Sequence, residues 1–291
     1  MEFLTALING FSSGGTYAII AIGYTMVYGI AKMLNFAHGD IIMVGGYAMF
    51  TTLLLINQPI LALVAAVVFC VILGVCVERF AYRPLRGASP LAVLITAIGV
   101  SSLLQSVAQI IFGAAPKMPS QLQISGAVHL GELAINYSTL VTLGVTVLVM
   151  VGLTLFVKLS KPGRAMVAVS EDRGAAQLMG VNTNGIIALT FAIGSALAAV
   201  AAYLMLMKAP SLSNTLGAMP GIKAFTAAVI GGIGSIPGAM LGGILLGVIE
   251  SLALSVPALA PFTDAIEFAV LIVILLVKPA GLLGKARREK V

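Results

Sequence analysis

Asn35, His38 and Asp40 stand together in the stretch NFAHGD at 35–40, between two long apolar runs. An imidazole beside a carboxylate and a carboxamide can hold a polar solute or relay a proton, and such groups inside a membrane segment are functional candidates by default. Gly39 weakens a helix here, and Asp40 is suited to cap a helix beginning at Ile41. A helix start offers free backbone N–H groups and a positive dipole end, which suit an anionic group. Broken helices of transporters bind substrate in this way. The plainer reading is a short turn in which Asn35 closes one helix and Asp40 caps the next, at the mouth of a path. Glu250 is the other candidate, because it interrupts an apolar run with no basic neighbour in sequence. It should face the bundle or a watery cavity. Asn35, His38, Asp40 and Glu250 are therefore the expected pathway residues. Glu78 beside Arg79 reads as a local ion pair, and Asp264 and Glu267 as carboxylates favoured in a first helical turn.

Other chemistry is thinly represented. The chain has no G-x-x-x-x-G-K-[ST] to cradle a nucleotide, no H-E-x-x-H and no G-x-S-x-G. Its two histidines are far apart, and Cys70 and Cys76 lie in one apolar run without metal-ligand spacing. No metal and no bound cofactor are expected. An intramembrane enzyme built on His38 and Asp40 lacks a nucleophile at suitable spacing.

The elements that must position these residues follow from composition. Of 291 residues, 60% are hydrophobic and 9% charged, against about 25% charged in soluble domains. So few charges cannot cover a water-facing surface, and the chain reads as one all-α, polytopic membrane domain over residues 1–291. About 20 apolar residues span the hydrocarbon core. Candidate spans are 12–31, 41–57, 60–77, 90–112, 138–158, 185–207, 238–255 and 263–277. A weaker, Gly-rich stretch at 218–232 carries Lys223 and is a broken or re-entrant segment, so the bundle has eight to nine crossings. The N-terminus lacks the basic region of a cleavable signal, and the first helix is expected to be retained.

Basic residues set the orientation. Arg79, Arg83 and Arg86 share one gap, Lys158, Lys161, Arg164 and Arg173 another, and Lys278, Lys285, Arg287, Arg288 and Lys290 the tail. With these and Lys32 in the cytoplasm, only Lys117 and Lys208 fall outside. Parity then favours nine crossings with 218–232 as one of them, the N-terminus out, the C-terminus in, and GGIGSIPG at 231–238 as an inner turn. This distribution makes lipid, and not nucleic acid, the expected surroundings. The outer loop 113–137, with His129 and Glu132, has alternating pieces that suit a small β-hairpin. Small residues in GGYA (45–48), SALAAVAA (195–202) and AMLGGILLG (239–247) suit close helix packing in lipid.

The inner loop 159–184 contains RAMVAVSEDRGAAQLMG at 164–180, amphipathic and too polar to cross. It suits one short helix along the cytoplasmic surface, with Ala168, Asp172, Ala175 and Ala176 available for contacts and Gly180 placed to end it. Alone it reads as an interfacial helix. In a chain without a motor, it reads as a docking site.

NFAHGDIIMVGGY (35–47), EDRGAAQLMGVN (171–182) and GIKAFTAAVIGGIGSIPGAMLGGILLG (221–247) are similar to the permease subunits of ATP-binding-cassette importers for branched-chain amino acids, the H-type of the paired H- and M-type permeases. The resemblance runs from the first span to KPAGLLG at 278–284. It implies an inner-membrane permease working by alternating access with a second, M-type permease, two cytoplasmic ATPase subunits that use ATP, and a substrate-binding protein. It also implies a coupling helix with an Ala-Ala-x-x-x-Gly core, matched by Ala175, Ala176 and Gly180. Gly174 stands where many importers have Glu, and the downstream Ile-x-Leu-Pro is absent. Glu171 and Asp172 are nearby substitutes, and Arg164 belongs to the same coupling loop. Similar permeases serve other amino acids, urea and short amides. The competing reading, a stand-alone secondary transporter or channel, predicts several mid-depth carboxylates or paired half-helices with matching motifs.

Overall fold

The computed structural model describes residues 2–130 and 133–284. Glu132 and the basic residues of the tail beyond 284 lie outside them. The chain folds into α1 (Glu2–Ala31), α2 (His38–Ile56), α3 (Pro59–Val77), α4 (Pro90–Phe112), β1 (Ala127–Leu130), β2 (Leu133–Asn136), α5 (Tyr137–Leu159), α6 (Lys161–Glu171), α7 (Arg173–Leu178), α8 (Thr183–Lys208), α9 (Ala218–Gly231), α10 (Ile236–Ser255) and α11 (Thr263–Val277). Among the described residues eight helical stretches are long and apolar enough to cross a membrane. The hairpin expected in the 113–137 loop is present, β1 pairing antiparallel with β2.

Local chemistry sets the helix starts. Ser89 accepts from Ala92 N at 3.3 Å, with Pro90 in the first turn of α4. Ser160, Asn182 and Ser235 cap α6, α8 and α10 in the same way. Each side chain satisfies one of the N–H groups that a helix start leaves unpaired.

One end of the bundle collects Lys32, Arg79, Arg83, Arg86, Lys158, Lys161, Arg164, Arg173 and Lys278, at the ends of α1, α3, α5 and α11 and in the loops that join them. At the opposite end the loops after α4 and α8 meet, Lys117 and Leu212 exchanging backbone hydrogen bonds of 2.8 and 2.9 Å. α9 has 14 residues, about 21 Å of helix against a hydrocarbon core of ~30 Å. Its lead-in, 209–217, starts at the Lys208 end. Its last turn reaches the basic end, where Leu282 and Leu283 donate to Ile230 and Gly231 at 2.8 and 2.9 Å and Gly234 packs on Gly29. Lead-in and half-helix together carry the chain from one end to the other, so the described residues traverse the bundle nine times.

The packing repeats itself upside down. α1 runs toward the basic end and α8 away from it, and the two touch at Gly23 and Gly194. α10 lies along α1 as α3 lies along α8, and α9 lies on α1 as α2 lies on α8. Units α1–α4 and α8–α11 thus form an inverted pair, an architecture common among transporters. Small residues make the approach close: a Cβ on Gly243 would meet Ala18, one on Gly247 would meet Gly14, and one on Gly45 would meet Ala199. The three small-residue stretches are therefore packing seams. The most apolar window of α1 is 89% buried, against 11% for α5 and α11, so α1 is the axis and the other two are periphery.

Candidate functional site

The full-length α2 and the shorter α9 both begin inside the bundle, and their starts meet. The chain leaves α1 at Lys32, turns at 35–38 with His38 N bonded to Asn35 O at 3.1 Å, and starts α2 beside Gly23 and Tyr24 of α1. Gly39 packs against Gly217 and Gly221, backbone on backbone with no room for a Cβ. The His38 ring lies edge-on to Tyr24 with centroids 4.7 Å apart, and a Cβ on Gly23 would strike it. His38 Nε2 has no hydrogen-bond partner among the described residues. Tyr82 donates to Asn35 Oδ1 at 2.8 Å, and Gln105 donates to Asp40 Oδ1 at 2.8 Å. Asn35, His38 and Asp40 are all fully buried. NFAHGD is thus an interior joint, not a surface turn. The helix starts at His38, so Asp40 lies in its first turn and does not cap it. The reason is steric: with glycines at 39, 217 and 221 the backbones approach closely enough for α2 to begin one turn early.

A second buried cluster lies nearer the Lys208 end. Lys223 Nζ in α9 reaches Glu250 of α10 at 2.6 Å, and Asp264 and Glu267 of α11 at 2.9 and 3.2 Å. Tyr17 of α1 donates to Glu250 at 3.0 Å. One ammonium, with three N–H groups, faces three carboxylates. Glu267 is fully buried, and its Oε2 has no partner among the described residues. The cluster ties the short helix to α10 and α11 directly, and to α1 through Glu250.

At the basic end the 159–184 loop forms two helices where one was expected. α6 anchors itself by burying Met166 and Val169. Asp172 then breaks it, taking an extended conformation and accepting from Ala175 N at 3.0 Å to start α7. Gly180 ends α7 with φ +83°, a conformation glycine adopts at no steric cost, while Val181 N bonds Ala176 O at 3.0 Å. Arg173 donates to the carbonyls of Ile30 and Ala31 at the end of α1, which seats α7 on the bundle. Ala175, Leu178 and Met179 face away from it, Leu178 and Met179 being 91% and 84% exposed.

The sequence matches the family described as branched-chain amino acid transport system, permease component, over residues 6–275. The chain belongs to this permease family. It is similar to the high-affinity branched-chain amino acid transport system permease protein BraD of Pseudomonas aeruginosa, 46% identical over 100% of this chain and 98% of that one. To the corresponding LivH of Escherichia coli it is 43% identical with the same coverage. A solved structure, PsaBC from Streptococcus pneumoniae in complex with Fab, matches 96% of this chain and 91% of its own at 15% identity and a TM-score of 0.48, a likeness too loose to build on.

For this permease the joint brings Asn35, His38 and Asp40 together, with Glu250 in the separate Lys223 cluster. Of the two helices that start at the joint only α9 is short, α2 having 19 residues, and the two starts share no motif, NFAHGD facing LGAMPG; the paired half-helices with matching motifs expected of a stand-alone transporter are not present among the described residues. In the coupling loop Arg164, Glu171, Asp172, Ala175 and Gly180 are exposed, whereas Ala176 is buried. The expectation that Ala176 is free for contacts is therefore corrected: it faces the bundle, on the side of α7 that Arg173 holds down. Glu78 pairs with Arg83 at 3.7 Å and with Arg86, not with Arg79, because the chain turns through a π-turn after α3. Asp264 and Glu267, expected to serve only the helix dipole, are ligands of Lys223. Of the two cysteines, Cys70 is buried and Cys76 exposed. Sequence reasoning missed Leu178, Met179 and Lys223. The bracketing of 173–178 by Asp172 and Gly180 was the available signal for the first two, since a single turn of helix cannot bury both faces.

Proposed function

We propose that this chain is the H-type permease of an ATP-driven importer of branched-chain amino acids, one multi-pass domain of the inner membrane with its basic end in the cytoplasm. It pairs there with an M-type permease, two ATPase subunits that hydrolyse ATP, and a substrate-binding protein on the opposite side. The carrying observation is the tip of α7: Ala175, Leu178 and Met179 stand exposed at the basic end of a chain that holds no nucleotide-binding motif. Apolar side chains this exposed on an otherwise polar loop suit a partner's groove. Glu171, Asp172 and Arg164 form the polar rim of that contact, and Gly180 fixes its edge.

The transport step follows from the inverted pair. A partner shifts the balance between two conformations only if it binds them unequally, and closure of the ATPases supplies that difference through α7. Arg173 passes the displacement to the end of α1, the axis beside which α2 and α9 both start. Asn35, His38 and Asp40 hold the joint that shifts, and Glu250 with Lys223 keeps α9 attached to α10 and α11 as it does so. Asn35, His38 and Asp40 are enclosed by the chain's own side chains, so they act on the path through the joint, whereas Glu250, partly exposed beside the exposed Asp264, stands at its edge.

Reconstitution tests this reading. Proteoliposomes holding the full set of partners should take up leucine only with ATP inside and binding protein outside. Leucine flux through vesicles holding this chain alone would move it to the stand-alone class.

A further inference from the structure

The exposed faces of α3 and α5 are apolar along their membrane-spanning lengths, as hydrocarbon requires, with Val64, Val68 and Ile72 on one and Leu140, Val147 and Leu148 on the other. The exposed face of α4 is different. From the basic end it is apolar as far as Ile98, through Leu91 and Ile95. Beyond that, Ser102, Ser106 and Gln109 stand exposed on one face at helical spacing, and Gly99 has open space at its Cβ. Ser102 lies about 18 Å of helix from Pro90, close to the middle of a ~30 Å core. Polar side chains at that depth face a partner or water, not lipid.

Two further observations point to water. The lead-in to α9, 209–217, is irregular backbone, and the ~21 Å of α9 leaves part of that lead-in within the membrane. Irregular backbone at this depth occurs only where it is buried in protein or lines a watery cavity. Ser211 and Thr215 of the lead-in are exposed, and Asn214 donates to Gln109 Oε1 at 3.4 Å, which sets the lead-in beside the α4 stripe. Behind the stripe, half-buried Gln105 donates to Asp40 Oδ1 at 2.8 Å and to Ser101 Oγ at 3.3 Å. The buried carboxylate of the joint therefore reaches this face through one side chain.

We propose that the outer half of α4 and the lead-in to α9 form this chain's wall of a water-filled path for a zwitterionic amino acid, with the second permease supplying the opposite wall. Hydroxyl and carboxamide groups both donate and accept, so they can follow a carboxylate and an ammonium without holding either as a fixed charge would. Met219 and Ile222, each 43% exposed at the start of α9, offer apolar contact to an aliphatic side chain. Small residues at this spacing also suit dry helix packing, but a dry contact would seal Ser211 and Thr215 from water. The proposal rests on the importer reading, which supplies the second permease and the direction of entry.

Thiol labelling of the full importer in proteoliposomes tests it, in a parent chain carrying Cys70→Ser and Cys76→Ser. A charged methanethiosulfonate added from the binding-protein side, read by mass on this chain, should modify Ser102→Cys, Ser106→Cys and Gln109→Cys. Their rates should exceed those of Val147→Cys and Leu148→Cys on α5 several-fold, and should change several-fold between the nucleotide-free and the vanadate-trapped assembly. Ser106→Trp should unfold at the parental midpoint, since its site is exposed, yet lose most leucine uptake. Rates no faster than the α5 controls in both states mean that a partner helix covers the stripe dry, and overturn the proposal. Equal rates in both states reduce the face to a fixed crevice and overturn it as well, as does full uptake by Ser106→Trp. Uptake by the cysteine-free parent reads the importer on its own: a parent that transports leucine while the stripe stays unlabelled sinks only this wall.

Discussion

The carbonyl group of Gly39 occupies the place where a side chain on Gly217 would have to stand. These two glycines are where α2 and the lead-in to α9 touch, so the meeting of the two helix starts depends on their having no Cβ. Gly217→Ala should therefore destabilise the folded protein by about 1–3 kcal/mol or more, the usual range for overpacking, because the obstructing atoms are backbone. Gly99→Ala and Gly144→Ala are the controls: each lies in a helix with open space at its Cβ, where alanine should be neutral or favourable by roughly 0.5–1 kcal/mol. Thermal unfolding in detergent reads all three. Equal midpoints for Gly217→Ala and the controls would discard the joint as a structural requirement.

Lys223 is 9% exposed in its side chain and holds three carboxylates. Removing one member of a buried ion pair costs about 3–5 kcal/mol, since the remaining charge is left unmatched. Lys223→Met should fall in that range, and adding Glu250→Gln should recover part of the loss by removing one orphaned charge. A double-mutant cycle on unfolding midpoints measures the coupling. Strictly additive effects would show that Lys223 and Glu250 are neighbours without being partners.

The membrane helices were legible because each carries its own evidence: a run of about 20 apolar residues has few other solutions. The observed limits of α4 and α11 coincide with the expected ones. α9 was ambiguous because its stability is borrowed. Its 14 residues hold a lysine whose three partners lie in α10 and α11, and no local pattern announces them. The same holds for Glu250, which read as lacking a base because its base is distant in sequence. NFAHGD showed a break in a helix but not its depth, which is set by glycines at 217 and 221. In the 159–184 loop the periodicity was right and the continuity wrong, since Asp172 uses its side chain to start a new helix.

Tyr82 and Asn35 make a buried contact between the turn after α3 and the connection into α2. Tyr82→Phe keeps the ring against Phe191, 5.3 Å away, and removes only the donor. An unsatisfied buried acceptor costs about 1–3 kcal/mol, so Tyr82→Phe should destabilise by that amount. In the Asn35→Leu background the same change should instead recover part of that variant's own loss, because the buried Tyr82 hydroxyl has there lost its acceptor. If Tyr82→Phe lowers stability equally in both backgrounds, the loss comes from packing and not from the hydrogen bond.

The α7 tip gives the sharpest separation of folding from coupling. Leu178 and Met179 touch little of their own chain, and surface substitutions away from packed features usually change stability by less than about 0.5 kcal/mol. Leu178→Asp and Met179→Asp should therefore unfold at the parent midpoint, yet abolish ATP-driven leucine uptake and the stimulation of ATPase activity by loaded binding protein. Ala176→Arg should behave in the opposite order. Its site is buried under α7, so the arginine must lift the helix from its seat, and loss of stability should accompany or precede loss of transport. Uptake and midpoint measured on the same three preparations decide the matter. Full transport by the Leu178→Asp, Met179→Asp double variant would remove the α7 tip from the energy path, because a groove that accepts those two side chains cannot also bury two carboxylates without loss.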